Sequence, residues 1–313
     1  MVVITRLLII YMMIGTGFVL YRTKVFTKEN NLVISRIVIL VGSPCLIFSA
    51  IVQREMTSEM VSESLQMFVA TIGFFIGGTI LAHILARVTG IINGPDAGVY
   101  MALMTTINAS FMGFPLMQAA FGDYGLYLEV LANIVFNCYL YSYGIILIKH
   151  GEGPRGSARD NIIAMVNPCI IASILGFVFL CLHIPVPQII MSPIEQIGNI
   201  TIPLAMISLG ISMGGSNIQN VLHNRDLLIT CAMKNFLWPA AAFLAFVFLP
   251  MNPLVKSVTL LMSTLPPAIS TGVLVTKLGK NSQVASQGTV IMILISIITI
   301  PIMYAIITHL FPL

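Results

Sequence analysis

The sequence predicts an all-α polytopic membrane protein: ten transmembrane helices in two inverted five-helix repeats, with broken crossover helices 4 and 9. Three observations lead there. The 313 residues are 58% hydrophobic and only 8% charged, against roughly 25% charged in a soluble domain. The two halves match at a nearly constant offset. Two of the apolar runs also carry helix-breaking residues at the same depth.

Spanning a bilayer takes about 20 apolar residues. Ten segments meet this, at approximately 2–21, 30–53, 62–88, 97–121, 124–148, 160–183, 188–214, 226–249, 254–278 and 284–311. Mean hydropathy is +0.99. The first run lacks a small-residue cleavage site, so it reads as a span rather than a secretory signal. The longest polar connection is KHGEGPRGSARDN at 149–161, and no soluble domain is expected. Cys45, Cys138, Cys169, Cys181 and Cys231 lie singly in apolar runs without metal-ligand spacing, which suits small buried residues.

Lysine and arginine in the loops set orientation. Connections after spans 1, 3, 5, 7 and 9 hold ten of them: Arg22, Lys24, Lys28, Arg87, Lys149, Arg155, Arg159, Arg225, Lys277 and Lys280. The other side holds three, Arg6, Arg54 and Lys256. This excess places the odd-numbered connections in the cytoplasm and both termini outside.

The repeat is read from short matches. Gly17-Phe18-Val19 aligns with Gly176-Phe177-Val178 at an offset of 159, which also pairs Pro44 with Pro203 and Ser49 with Ser208. LMTTIN (103–108) meets LMSTLP (261–266) at 158, and FG (121–122) meets LG (278–279) at 157. Five spans is an odd number, so the second copy enters the membrane from the opposite face. Inverted repeats with midplane breaks are a transporter architecture, with substrate bound where the repeats meet.

Asn108 lies about 11 residues into span 4, roughly 16 Å at about 1.5 Å per residue. Pro266 reaches the same depth in span 9 from the other side. Taken singly, Pro115, Pro266 and Pro267 read as kinks in packed helices. Their matched depth, with Asn108 and Ser110 alongside, reads as a crossover whose freed backbone lines a wet cavity. Half-helix N-termini aimed at it would suit a carboxylate.

These residues resemble the auxin efflux carrier family. Its fourth-span pattern N-x-x-x-M-G-x-P-L reads here as Asn108-Ala-Ser-Phe-Met112-Gly113-Phe-Pro115-Leu116, and its ninth-span leucine–proline pair as Leu265-Pro266. SLGISM (208–213), Lys234 five positions before Pro239, and SQGTVIMILISIITIP (286–301) extend the similarity over the chain. The resemblance implies a fold like that of the bile-acid sodium symporters. In it, 1–53 and 160–214 form a scaffold, and 62–148 and 226–311 a moving transport domain. It also implies a homodimer through the scaffold helices and an elevator motion. Asn108, with Ser110, Gly113, Pro115, Pro266 and Pro267, would meet a substrate carboxylate. Asn137 and Tyr141 in span 5 resemble the polar and aromatic pocket wall, and Pro44 and Pro203 would line the scaffold. The long cytoplasmic loop of the plant exporters is about a dozen residues here. Their span-3 acid has no counterpart among 64–88, where only His83 precedes Arg87 as an ionisable side chain. Auxin and the plant coupling scheme are therefore not carried over.

Ionisable residues within spans are functional candidates. Lys234 has two readings: a fixed cation beside the crossover, or a side chain snorkelling to the cytoplasmic face. Glu129, in span 5, is a candidate proton carrier. Arg36 and Glu195 read as interface anchors. The expectation is a transporter of small organic anions in the cytoplasmic membrane, with no enzyme activity, cofactor, metal or nucleic-acid partner. A sodium-coupled organic-anion symporter and a non-transporting anion receptor remain as alternatives.

Overall fold

The computed structural model describes residues 2–150, 167–215 and 223–311. The loop basic residues Arg155 and Arg159 and the beginning of span 6 lie outside the described residues. Every regular element among those described is helical: α1 (Val2–Arg22), α2 (Lys28–Ile37), α3 (Ser43–Val52), α4 (Ser58–Val88), α5 (Ala97–Thr105), α6 (Phe114–Tyr139), α7 (Ile145–Ile148), α8 (Pro168–Cys181), α9 (Gln188–Gly214), α10 (Arg225–Ala232), α11 (Trp238–Phe246), α12 (Pro253–Ser263), α13 (Ile269–Lys277) and α14 (Ser282–Leu310). Among the described residues, seven stretches are long and apolar enough to cross a membrane: Thr5–Arg22, Lys28–Val52, Ser58–Val88, Ala97–Ile148, Gln188–Gly214, Arg225–Phe246 and Ser282–Leu310.

Seven stretches stand against ten expected spans for local reasons. The run Ala97–Ile148 holds 52 residues and takes in both expected spans 4 and 5. It bends at Gly122, whose φ of 72° and ψ of −162° are non-helical, a conformation open to glycine. Expected span 9 is divided into α12 and α13 by a non-helical segment. Expected span 6 is represented by the 14 residues of α8.

Helix starts follow their capping residues. Asn167, Asn224, Asn252 and Asn281 each accept a backbone N–H at the head of α8, α10, α12 and α14. Proline follows at the first position of α8 and α12, where its missing N–H is harmless. Thr27 and Asn30 form a reciprocal capping box on α2. Among the described residues, three of the four π turns precede a proline: Val38–Gly42 before Pro44, Ala109–Gly113 before Pro115, and Met233–Leu237 before Pro239. A proline removes one i→i−4 bond and crowds the previous turn, and widening that turn by a residue relieves both. Ser43 N–H accordingly reaches back to the Val38 carbonyl and Trp238 N–H to that of Met233.

The described chain divides into two compact units. The first comprises 1–65, 110–134 and 164–215; the second comprises 66–109, 135–163 and 216–313. In the first unit α1 packs on α9, and α3 on α8. A Cβ on Gly17 would overlap the Ile207 carbonyl, and one on Gly210 the Ile14 carbonyl and the Gly17 backbone. These two backbones are in direct contact, as small residues permit. Gly176 of α8 sits against Ile51 of α3, where a Cβ would lie 3.1 Å from the Ile51 Cβ. In the second unit α5 packs against α7, α10 and α14. The ring of Trp238 rests on Gly78 and lies 4.8 Å from the Phe74 ring.

The offsets read from the sequence recur in the backbone. Helices α1 and α8 end at Arg22 and Cys181, 159 residues apart, and α5 and α12 end at Thr105 and Ser263, 158 apart. Among the described residues, the non-glycine positions with positive φ are Lys24 (60°) and His183 (52°), again 159 apart. Gly122 (72°) and Gly279 (69°) repeat the pattern at 157. The Gly17–Gly210 contact and the Gly176–Ile51 contact join equivalent positions at an offset of 159.

Helix α1 carries a built-in comparison for the close approach of its backbone to α9. A Cβ on Gly15 meets nothing within 4 Å. Gly15→Ala should hold or raise thermal stability in detergent, by up to about 1 kcal/mol of helix propensity. Gly17→Ala should lower it by about 1–3 kcal/mol through overpacking. Equal melting temperatures for the two variants would refute the contact.

Candidate functional site

The second unit contains both helix breaks. Helix α5 stops at Thr105, residues 106–108 are non-helical, and the chain resumes in the π turn Ala109–Gly113. Helix α12 stops at Ser263, residues 264–268 are non-helical, and α13 begins at Ile269. The two breaks touch. The Asn108 backbone N–H donates to the Pro266 carbonyl at 2.7 Å, and Asn108 is 2% exposed. Residues 108 and 266 stand 158 apart, so the structure brings together two residues that the sequence aligned.

Each broken end must dispose of its last carbonyls. Near both ends, buried hydroxyls bond back to carbonyls of the preceding turn, of which Ala102 and Leu261 also accept a backbone N–H. Thr105 Oγ1 donates to the Met101 carbonyl at 3.1 Å, and Thr106 Oγ1 to that of Ala102 at 2.7 Å. Ser263 Oγ donates to the Leu260 carbonyl at 2.5 Å, and Thr264 Oγ1 to that of Leu261 at 2.7 Å. Thr105 and Ser263 are equivalent positions, as are Thr106 and Thr264. Sequence reasoning missed this role, although the four residues lie within the matched LMTTIN and LMSTLP strings.

The head of α13 is different. Its N-cap, Ala268, has no acceptor side chain, and Pro266 and Pro267 precede it. The Thr271 amide donates to the Ala268 carbonyl at 3.1 Å, which leaves those of Ile269 and Ser270 at a helix end that carries partial positive charge. In that same turn the Thr271 hydroxyl is fully buried and has no hydrogen-bond partner among the described residues. A helix N-terminus with a spare hydroxyl donor is suited to an anion. Thr271 was also missed, because a single threonine in an apolar run gives no pattern.

The remaining expected residues fall as follows. Pro267 is buried beside Pro266. Ser110, in the first unit, donates to Asn133 Oδ1 at 3.2 Å. Gly113 and Pro115 are buried there as well. Pro115 lines a cavity of about 440 Å3 whose polar rim is Arg6, Gln118 and Asp123. Arg6 donates to the Ala119 carbonyl at 3.3 Å, and Gln118 to Asp123 at 2.9 Å. Pro44 is half-buried at the head of α3, and Pro203 is an exposed proline inside α9.

Asn137 and Tyr141 are half-buried in the second unit, at the end of α6 and in the π turn Leu140–Gly144. The aromatic cavity of that region, about 420 Å3, is lined instead by Phe75, Thr79, Cys138, Tyr139 and Tyr143. Tyr139 stacks on Phe75 at 4.7 Å, and its hydroxyl is 2.8 Å from Thr79 Oγ1. The π turn alters which residues share a face, which period counting from Asn137 does not anticipate.

Among the described residues, three acidic or basic side chains are buried within spans: Glu63, which accepts from the Tyr124 hydroxyl, Glu129 and Lys234. Glu129, in the first unit, is fully buried, and its carboxylate oxygens have no partner among the described residues. Lys234, in the second unit, is 1% exposed, with Nζ also lacking a partner among those residues. The snorkelling reading of Lys234 is thereby corrected: the π turn directs the ammonium inward, against α4 and Met104. Glu195 accepts from Gln53 Nε2 at 2.5 Å, and His83 Nδ1 lies 2.9 Å from the Thr79 carbonyl. Among the described residues, no three His, Cys, Asp or Glu side chains converge as metal ligands do.

The profile of a family described as membrane transport protein matches residues 2–161 and 158–304. An uncharacterized transporter of Methanothermobacter thermautotrophicus is 26% identical over 291 residues, covering 91% of this chain and 92% of the relative. One from Methanocaldococcus jannaschii is 24% identical over 276 residues, covering 85% and 86%. The chain belongs to the membrane transport protein family, the auxin efflux carriers that its span-4 motif resembles, and is a multi-pass membrane transporter.

Proposed function

We propose that the protein is a secondary transporter of small organic anions, of the carboxylate class, with its binding site at the touching breaks of spans 4 and 9. The observation that carries this is the unsealed head of α13. Its uncapped amides and the buried Thr271 hydroxyl lie in the unit where Asn108 meets Pro266. The helix-end amides are donors and the Thr271 hydroxyl can donate, so a carboxylate would supply matching acceptors.

A ten-span, inverted-repeat reading is favoured by contacts between equivalent residues. In two copies related by a twofold axis, a residue touches its own mate only at the axis. Asn108 touches Pro266, and, separately in the first unit, a Cβ on Gly42 would run into the Thr201 side chain, its mate at 159. The elevator scheme takes spans 1, 2, 6 and 7 as a fixed scaffold, with homodimer contacts through it. Spans 3–5 and 8–10 carry the site across the cytoplasmic membrane, with both termini outside. The distribution of lysine and arginine supports that orientation. Glu129, an acid buried in span 5 without a partner among the described residues, is the coupling residue in this reading, with a proton as the driving ion.

A screen of radiolabelled mono- and dicarboxylates in proteoliposomes should find a transported anion. For that anion, Thr271→Val and Asn108→Ala should each reduce uptake by about tenfold or more. Such a loss corresponds to a hydrogen bond to a charged group, about 1.5–3 kcal/mol. Folded variants that transport at the wild-type rate would place the site elsewhere.

Coupling is tested separately. Glu129→Gln should abolish accumulation driven by an imposed proton gradient in sodium-free buffer, while counterflow exchange persists. Gradient-driven accumulation that survives the substitution would remove Glu129 from the mechanism.

A further inference from the structure

A cavity of about 420 Å3 in the second unit lies between the π turn Met233–Leu237 with α11 on one side and α14 on the other. Both walls belong to stretches apolar enough to cross a membrane, Arg225–Phe246 and Ser282–Leu310. Phe236, Leu244, Ile302 and Ile306 line it and are exposed, so it opens on the bilayer.

Three polar residues line the cavity, and each is buried: Asn235, Thr264 and Thr299 are 2%, 1% and 8% exposed. Asn235 Nδ2 donates to the Cys231 carbonyl at 2.9 Å, and Thr264 Oγ1 to that of Leu261 at 2.7 Å. The Thr299 oxygen is itself closed off from the surface. What an occupant meets is therefore almost entirely hydrocarbon and aromatic ring. A polar ligand would forfeit its hydrogen bonds there. A hydrocarbon chain forfeits none, and a concave wall gives it more dispersion contacts than a flat helix face. Size narrows the class further. A water's share of liquid volume is about 30 Å3, so the cavity takes roughly a dozen methylene-sized groups. That suits one acyl chain and not a whole lipid.

The recess recurs at the offsets of the repeat. Asn235 and Pro239 stand 159 residues from Ile76 and Ile80, and Thr299 stands 157 from Ser142. Those three line the aromatic cavity, which has the same volume of about 420 Å3. Of the two, only the cavity between α11 and α14 includes a residue of a helix break, Thr264.

We propose that this cavity holds one acyl chain of a membrane lipid, packed between α11 and α14 and against the break at Thr264. The proposal goes beyond the carboxylate reading and does not rest on it. The chain fills a space that no side chain of the protein fills, beside the point where α12 is cut.

Native mass spectrometry on detergent-purified protein stripped of lipid tests this. The probes are palmitoyl-oleoyl phosphatidylethanolamine and phosphatidylglycerol, added in equal amounts. The expected result is one lipid retained per protein chain at saturation, with no preference between the two headgroups. Ala240→Phe places a ring in the recess. It should lower retention by about tenfold or more and, by filling the cavity itself, hold or raise the melting temperature of the lipid-free protein. Ile302→Phe enters from the opposite wall and serves if Ala240→Phe does not fold. Folded variants that both retain lipid as the wild type does would overturn the proposal, as would retention that follows the headgroup. A dimer that forms without lipid and is lost in Ala240→Phe would also overturn it, by assigning the face to a second copy of the chain. No readout involves transport, so failure here leaves the proposed carboxylate site standing.

Discussion

Unpaired backbone in a membrane is the constraint on which the rest depends. Any interruption of a transmembrane helix exposes amides and carbonyls in a medium with no water to bond them. This chain interrupts two helices. Thr105, Thr106, Ser263 and Thr264 add hydroxyl donors to carbonyls of the last turns of α5 and α12. The Asn108 amide goes to the Pro266 carbonyl, so each break supplies the partner that the other lacks. Left over are the first amides of α13 and the Thr271 hydroxyl. In the reading proposed above, these groups form the site for a negatively charged ligand.

The first unit meets a different requirement. Lipid gives apolar helices little reason to prefer one another over acyl chains, so close packing must hold them. Gly17 and Gly210 bring α1 and α9 into backbone contact, and Gly176 and Gly198 seat Ile51 and the Cys45–Leu46 backbone. Such contacts resist sliding, because any side chain at these positions forces the helices apart.

Much of this was legible in the sequence, and the exceptions share a cause. Composition gave a polytopic membrane protein, and the offsets of 159, 158 and 157 reappear as helix ends and as paired positive φ angles at Lys24 and His183 and at Gly122 and Gly279. The pairing of Asn108 with Pro266 was visible because proline and asparagine are rare inside spans. The hydroxyl caps were not, because serine and threonine are unremarkable there and their role depends on which carbonyl is free. The π turns were equally hidden. They redirect Lys234 inward, and they make Tyr139 and Tyr143 the tyrosines of the aromatic cavity in place of Tyr141. The count of ten spans met seven helical stretches because hydropathy measures length in lipid and ignores where a helix is cut.

The central claim is that the two breaks and the head of α13 receive a carboxylate. The most direct test is hydrogen exchange by mass spectrometry on the protein in nanodiscs, with and without a carboxylate that it transports. Peptides covering 104–112 and 264–272 should gain protection when the ligand is present, because it bonds the open amides and pins the two breaks together. Unchanged exchange in both peptides, with protection confined to the aromatic cavity at 135–143 or to the Arg6 and Pro115 cavity, would contradict the account.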